Sequence, residues 1–502
     1  MDKMKTVNEY VEALKAAELL VCGDGSDGSV TSVTFDSRDA GEGTLFICKG
    51  AHFREEYLRN AIDAGASCYV TEKAYGLGTA ECTEILVRDV RLAMPVIAET
   101  FYGRLSDELK VIGVTGTKGK STTAYFIRNI LDDYMAAEGG RPTAICSGID
   151  NYDGVINEES HLTTPEIIEL YQHLDNALKS GIGYMTMEVS SQALKYNRVD
   201  GITFEAGAFL NIDTDHISDI EHPDFEDYFR AKQRIFSHCR RACINLDGPE
   251  TDEIIRASAD CPYVISFSQK DENANIYGYD IRSDEGRITL RIKGNGIEGY
   301  HDFDEEFTLG TFGVINVENA LAAVALCALV GIPIEHIGSG LARTVSPGRM
   351  EVFYSEDKRR IAIVDYAHNK LSYERFFETI REEFPDKKFI IVFGCPGGKA
   401  IARREELGRI AGQNCAYSII TEEDYNEEDV NEICRQIAGH VEAAGGRYEI
   451  ITDRVEAIRR AIDLMDDDTI LFLPGKGRET RMKRNGEYID TPSDVEVIEK
   501  YL

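Results

Sequence analysis

A lysine and two hydroxyls just past a glycine-rich turn carry the clearest chemistry in this chain. Residues 111–123 read Val-Ile-Gly-Val-Thr-Gly-Thr-Lys-Gly-Lys-Ser-Thr-Thr. The apolar run 111–114 predicts a strand and Gly116-Thr117-Lys118-Gly119 a turn. Lys120, Ser121 and Thr122 then open a helix that continues through 124–131. Backbone N–H groups at such a junction, together with the helix dipole, cradle phosphates. Lys120 is placed to reach the terminal phosphates of a nucleoside triphosphate, and the Ser121 hydroxyl to ligate Mg²⁺. The spacing is irregular, since the general pattern has four residues between its first glycine and Gly-Lys. Gly113 lies too far from Gly119 for that, and Gly116 too near. A glycine turn with no ligand is the plain alternative.

Two further segments carry candidate groups. Glu188 ends the apolar run that begins near Tyr184, and a carboxylate at a strand end beside a phosphate loop can hold Mg²⁺ directly or through water. Asn211-Ile212-Asp213-Thr214-Asp215-His216 follows the next strand, and a helix with Asp227, Tyr228 and Lys232 comes after it.

These residues need a parallel sheet behind them. Before the loop, 30–35, 44–48, 67–71 and 85–87 predict strands of a small α/β domain over 1–105. A helix with Met94, Ile97, Ala98 and Phe101 on one face leads out of it. A central domain over 106–345 has predicted strands at 111–114, 184–189, 206–212 and 242–245. A third, over 346–502, alternates strands at 361–365, 389–393, 417–421, 448–451 and 470–473 with helices. That is the pattern of a Rossmann-like, doubly wound sheet, which binds ligands at the carboxyl ends of its strands. The expected fold class is therefore α/β in three domains, with a mostly parallel sheet in the central one.

Composition narrows the function. A length of 502 residues suits two to four domains. A net charge of −33 argues against general affinity for nucleic acid or anionic membrane, while leaving room for anionic substrates held locally. The 12 cysteines include no C-x-x-C pair, as in a reducing cytoplasm. The polar start Met1-Asp2-Lys3 predicts no secretory signal. The apolar run 320–334, broken by Gly331 and Pro333, reads as a core helix too short to span a bilayer. A cytoplasmic monomer is the expectation.

The ordered blocks along the chain carry a resemblance. They are Asp36-Ser37-Arg38, the phosphate loop, Thr163-Thr164-Pro165, Glu188-Val189-Ser190-Ser191, Arg198-Val199-Asp200-Gly201, Asn316-Val317-Glu318-Asn319, Pro347-Gly348-Arg349, Asp365-Tyr366-Ala367-His368 and Gly475-Lys476-Gly477. In this order they resemble the Mur ligase family over essentially the full length, and within it the UDP-N-acetylmuramoyl-tripeptide synthetase branch. The resemblance implies an ATP-dependent ligase of peptidoglycan synthesis. Such an enzyme adds the third amino acid to UDP-N-acetylmuramoyl-L-alanyl-D-glutamate through an acyl phosphate. It further implies that Lys120, Glu188, His216 and Lys232 are catalytic. Two Mg²⁺ ions would lie on Ser121, Glu188, His216 and an N-carbamylated Lys232. ATP would be bound by residues 116–122 with Asn316, Asn319, Arg349 and Asp365. The UDP-muramoyl-peptide would meet Ser37, Arg38, Thr163, Thr164, Ser190, Gln192 and Arg198.

The third domain departs from the diaminopimelate-adding pattern Asp-Asn-Pro-Arg. The matching positions are Glu423-Asp424-Tyr425-Asn426, with no arginine, and Lys399 stands at a second arginine position. By resemblance, Lys399, Glu423, Asp424, Asn426, Gly475 and Glu479 face the incoming amino acid, and a distal ammonium suits Glu423 and Asp424. L-Lysine is favoured, with meso-diaminopimelate, another amino acid in a specialised paralogue, and a non-catalytic regulatory nucleotide binder left open. An acidic solvated loop is the plain reading of 422–429. Arg478 replaces the family's usual histidine after Gly-Lys-Gly.

Overall fold

The computed structural model describes residues 5–50, 53–214, 217, 221–284 and 286–502. The chain forms two compact units. One runs to Tyr277 and includes Gly294–Phe303 and Leu321–Gly340, and the other holds Gly278–Lys293, Asp304–Ala320 and Leu341–Leu502.

The first unit contains a two-stranded ribbon, Lys5–Thr6 with Ser29–Val30, and two larger sheets. The smaller of these two has the order Leu20–Cys22, Thr83–Val87, Cys68–Thr71, Thr44–Ile47, Ser32–Thr34. It is parallel except at its Leu20–Cys22 edge. The helix Val90–Tyr102 starts at an Asp89 cap that accepts from the Leu92 N–H at 3.0 Å, and it buries Met94, Ile97 and Ala98 as its pattern predicted.

The larger sheet puts the phosphate-loop strand Lys110–Thr115 between Tyr184–Glu188 and Ala206–Phe209. All three are parallel, and each is buried along nearly its whole length. The chain leaves Lys110–Thr115 toward Ala144–Cys146 on one side and leaves Tyr184–Glu188 toward Ala206–Phe209 on the other, so a crevice opens between the carboxyl ends of those two strands. The sheet continues in parallel through Ala242–Asn245 and Val264–Ser268 on one side and Ala144–Cys146 on the other. A short antiparallel hairpin, Asp150–Tyr152 with Asn157–Glu159, extends the latter edge. Gly113 belongs inside the strand and not to the loop. A Cβ there would lie 3.0 Å from the Phe204 ring.

The second unit carries a six-stranded sheet in the order Glu351–Tyr354, Ile361–Asp365, Thr469–Pro474, Lys388–Phe393, Tyr417–Ile420, Tyr448–Ile450. Only the Glu351–Tyr354 edge is antiparallel. Alternate residues feed two separate cores. Ile363, Ile391 and Phe472 pack on one face, Val364, Val392 and Leu473 on the other. That alternation is what a doubly wound sheet with helices on both sides requires. Strands Ile276–Asp284, Arg287–Gly294 and Phe303–Phe312, neighbours in that order, were not foreseen from the sequence. Residues 320–329 lie in the helix Asn316–Leu329, and almost all are fully buried. Among the described residues no helix is long and apolar enough to cross a membrane.

Candidate functional site

The loop after Thr115 turns on two glycines. Gly116 has no room for a side chain, since a Cβ would meet Leu210 at 2.9 Å. Gly119, at φ +85°, caps the helix Lys120–Ala137 in the left-handed region. Ser121 and Thr122 are buried in its first turn. Asn211, just beyond the neighbouring strand, fixes the loop from outside. Its Oδ1 accepts from the Lys118 N–H at 2.9 Å, and its Nδ2 donates to the Lys118 carbonyl at 3.1 Å. The Thr117 N–H donates to the Asn211 carbonyl at 3.1 Å. The Thr117 hydroxyl accepts from the Asp213 N–H at 3.0 Å and shares a hydrogen bond with Tyr228 at 3.0 Å.

Two ammonium groups converge on this loop. Lys120 Nζ donates to the Gly116 carbonyl at 3.0 Å and to the Thr117 carbonyl at 3.3 Å. Lys232, 2 % exposed, donates to the same Gly116 oxygen at 2.8 Å and lies 4.8 Å from the Tyr228 ring centre. It sits on the helix Phe225–Gln233, which the Asp224 carboxylate caps by accepting from the Asp227 N–H at 2.8 Å. His216 lies outside the described residues.

Glu188 is 1 % exposed at the end of its strand, and its Oε1 accepts from the Gly148 N–H at 2.8 Å. Among the described residues no cluster of three His, Cys, Asp or Glu side chains could hold a metal ion. Ser121 and Glu188 fit a hard cation only if phosphate oxygens complete the shell, as is usual for Mg²⁺. Thr163 and Thr164 adjoin Glu188. The Thr164 hydroxyl donates to the Glu188 carbonyl at 2.8 Å and accepts from the Ser190 N–H at 3.0 Å. Ser190 in turn caps the short helix holding Gln192, whose amide donates to Glu221 at 3.2 Å.

Arg198 is anchored to the same loop. It donates to the Thr164 carbonyl at 3.2 Å and pairs with Glu166 at 2.8 Å, while its buried Nε has no partner. Glu166 also pairs with Lys49 at 2.6 Å. Lys49 lies over the Phe35 ring at 4.1 Å and lines a cavity of about 530 Å³ together with Asp36, Ser37, Arg38 and Tyr57. The Asp36 carboxyl is held down at about 2 by its bonds from Arg38. Asn211, Lys49 and Glu166 were not singled out as site residues. Asn211 stands at a strand end, the one signal available, and Lys49 and Glu166 gave none.

In the second unit, Glu423 follows the strand Tyr417–Ile420 at its carboxyl end. Burial pushes its carboxyl up to about 7, against the pull of Arg454 and Lys476. A Cβ on Gly475, at φ +103°, would lie 3.1 Å from Glu423 Oε2. Lys476 pairs with Asp424 at 3.0 Å and with Glu479. Asn426, at φ +55°, donates its N–H to the Lys483 carbonyl at 3.1 Å. Glu423, Asp424, Gly475 and Glu479 are thus gathered, whereas Lys399 is exposed on an adjoining loop. The 422–429 run is only partly a solvated face: Glu422 is buried against Arg484. Asp365 accepts from the Met350 N–H at 2.8 Å and the Ala367 N–H at 2.7 Å. Asn316 and Asn319 are linked at 3.1 Å at the start of their helix.

Residues 114–327 match the Mur ligase middle domain, and residues 348–477 match the Mur ligase, glutamate ligase domain. The chain is 37% identical to the UDP-N-acetylmuramoyl-L-alanyl-D-glutamate--L-lysine ligase of Enterococcus faecalis, over 92% of this chain and 89% of that protein. It is 34% identical to a UDP-N-acetylmuramyl-tripeptide synthetase of Lactobacillus delbrueckii subsp. bulgaricus, over 98% and 97%. A solved UDP-N-acetylmuramoyl-L-alanyl-D-glutamate--2,6-diaminopimelate ligase superposes with a TM-score of 0.67 at 23% identity, covering 99% of each chain.

Proposed function

Because this chain belongs to the Mur ligase family, we propose that it is the ATP-dependent ligase that joins L-lysine to UDP-N-acetylmuramoyl-L-alanyl-D-glutamate. The observation that carries the reading is the convergence of Lys120 and Lys232 on the phosphate loop, with Glu188 on the adjacent strand.

A carboxylate is a poor electrophile. Transfer of the ATP γ-phosphoryl group to it makes an acyl phosphate, and attack by an amine then expels phosphate. Two anions must meet in the first step, so catalysis is mostly charge stabilisation and positioning. Lys120 swings from the loop carbonyls onto the triphosphate. Ser121 and Glu188 would hold Mg²⁺, which neutralises the phosphoryl charge when bound. Carbamylation of Lys232, from its neutral amine and CO₂ with loss of a proton, would replace an ammonium by an anion suited to a second cation. Thr164 and Ser190 orient the substrate loop, and the unpartnered Arg198 Nε is a donor available to the acceptor's carboxylates. The cavity at Ser37 and Arg38 would take the uridine nucleotide.

L-Lysine follows from charge at the second site. A carboxylate, Glu423, borders Gly475 where an arginine would suit a distal carboxylate. The Enterococcus relative's name agrees with it. The test is an amino-acid panel with purified enzyme, ATP and the UDP-muramoyl-dipeptide, read as ADP release and product mass. L-Lysine should be turned over and meso-diaminopimelate should not. ADP release independent of the dipeptide would sink the ligase reading, and preference for diaminopimelate would sink the lysine assignment.

A further inference from the structure

Three segments of the second unit meet around one tyrosine. The Tyr366 N–H donates to the Gly348 carbonyl at 2.9 Å. Its ring fills the space over Gly348 and Gly477, where added Cβ atoms would fall 2.2 and 2.8 Å from it. The Gly475 N–H donates to the Asp365 carbonyl at 2.9 Å. The Pro347-Gly348-Arg349 turn and the Gly475-Lys476-Gly477 turn are therefore both packed against Tyr366.

One ion pair bridges them directly. Arg478 donates to Glu351 through Nε at 3.1 and 3.0 Å and through Nη2 at 2.7 Å. Its backbone N–H donates to the Tyr366 hydroxyl at 3.2 Å. Glu351 is 5 % exposed, and its Oε2 also accepts from the Gly348 N–H at 2.7 Å. The carboxylate thus shapes the turn that presents Arg349, and Arg478 neutralises that carboxylate from the other turn. Both residues line a cavity of about 400 Å³ that Ser346 and Arg349 also line. Ser346 Oγ and Arg349 Nε are buried there without partners, as groups awaiting a polar ligand are.

We infer that Arg478 and Glu351 are positioning residues that lock the amino-acid turn to the nucleotide turn, so that ATP and the incoming amino acid bind cooperatively. The inference rests on the reading of Gly475 and Glu479 as amino-acid contacts and of Arg349 as a nucleotide contact. A bidentate pair on a buried carboxylate transmits displacement because Arg478 cannot move away without stranding the buried Glu351 charge. Coupling of this kind is reciprocal, so each ligand should lower the other's dissociation constant by the same factor.

The experiment is a mutant cycle on the full chain with two readouts. The first is the Kd of Mg²⁺–AMP-PNP by calorimetry, for wild type, Arg478→Ala, Glu351→Ala and the double variant. Each single change should weaken binding about tenfold, the double variant no further, and Arg478→Lys should recover part of the loss. The second is the KM for ATP at scarce and saturating amino acid. The wild type should show about a fivefold drop on saturation, and Arg478→Ala less than twofold. Additive single effects, a wild type without linkage, or full linkage in Arg478→Ala would each overturn the inference. If either alanine variant does not fold, Arg478→Gln and Glu351→Gln serve in its place. Should the panel favour another amino acid, the lysine assignment falls and the linkage is measured with that amino acid. Should it accept none, the calorimetric cycle still decides the pair.

Discussion

Lys120 and Lys232 donate to one and the same carbonyl oxygen, that of Gly116, at 3.0 and 2.8 Å. Two cations on a single acceptor at the mouth of a phosphate loop are placed for an anion to come between them. In the proposed reaction Lys120 acts on the transferring phosphoryl group, so Lys120→Ala should lower kcat by about 10³-fold or more. Lys232→Ala should do comparable damage while leaving AMP-PNP affinity within about threefold, because its partner is the loop's backbone. Stopped-flow ADP release and calorimetry separate the two. An active Lys232→Ala variant would remove Lys232 from the mechanism. Intact mass under mild conditions, with labelled bicarbonate, checks the carbamate.

Asn211 binds both the N–H and the carbonyl of Lys118, so the loop's shape depends on a side chain outside it. Asn211→Ala should loosen the loop and raise the KM for ATP about tenfold, in line with about 0.5–1.5 kcal/mol for each hydrogen bond removed. The KM for the dipeptide should stay put. A proportional rise in both would mean that Asn211 supports the whole unit and not the loop.

Glu166 bridges Lys49, beside the Ser37 and Arg38 cavity, to Arg198, which grips the Thr164 loop. Glu166→Gln keeps the shape and removes the charge. The KM for the UDP-muramoyl-dipeptide should rise about tenfold with kcat little changed, the signature of lost ground-state binding. A kcat effect alone would place Glu166 with the reacting groups instead.

Local pattern carried the residues that sit at strand ends. Lys120, Ser121 and Glu188 follow apolar runs in sequence, and such runs are strands because each side chain in them is buried. Contacts between distant segments were not legible. Asn211, Glu166 and Arg478 act through partners far away in the chain, and nothing in their neighbours' types signals it. The strands Ile276–Asp284 and Arg287–Gly294 were missed for different reasons. In Arg287–Gly294 the buried Ile288, Leu290 and Ile292 alternate with Arg287, Thr289, Arg291 and Lys293, a period of two that the sequence does display, whereas Ile276–Asp284 loses its buried positions after Tyr279 and shows no such period. Glu423 was legible as an acid but its environment was not, since burial comes from the chain folded around it.

That burial gives Glu423 a pH signature. Its folded carboxyl is raised to about 7, above an unfolded value near ~4.3, so the folded state keeps a proton that the unfolded state has lost. Stability contributed by the protonated group is complete below the unfolded value and is lost as pH rises toward 7. Glu423→Gln, which cannot ionise, should gain Tm relative to wild type across pH 5 to 7 and hold that gain above it. Binding runs the other way. In the proposed site the ammonium of lysine pairs with the ionised carboxylate, so the KM for lysine should fall as pH rises from 6 to 8 in wild type and stay flat in Glu423→Gln. A flat wild-type profile would detach Glu423 from amino-acid recognition.

Behind Glu423 lies the pair that holds its loops. Arg454, 5 % exposed, makes two bonds of 2.7 Å to Asp494, 2 % exposed, and donates to the Pro474 carbonyl at 2.9 Å and the Glu422 carbonyl at 3.4 Å. One guanidinium thus fixes the ends of the strands that precede Glu423 and Gly475. Removing either partner leaves the other charge buried, at a cost of about 3–5 kcal/mol. Arg454→Ala and Asp494→Ala should each lower stability in urea by that order, and the double variant by less than their sum. Asp494→Asn retains a hydrogen-bond acceptor and should fall between. If activity toward lysine survives in Asp494→Asn while stability drops, the pair serves the fold of this site and not its chemistry; loss of turnover at unchanged stability would assign Arg454 a direct part in binding.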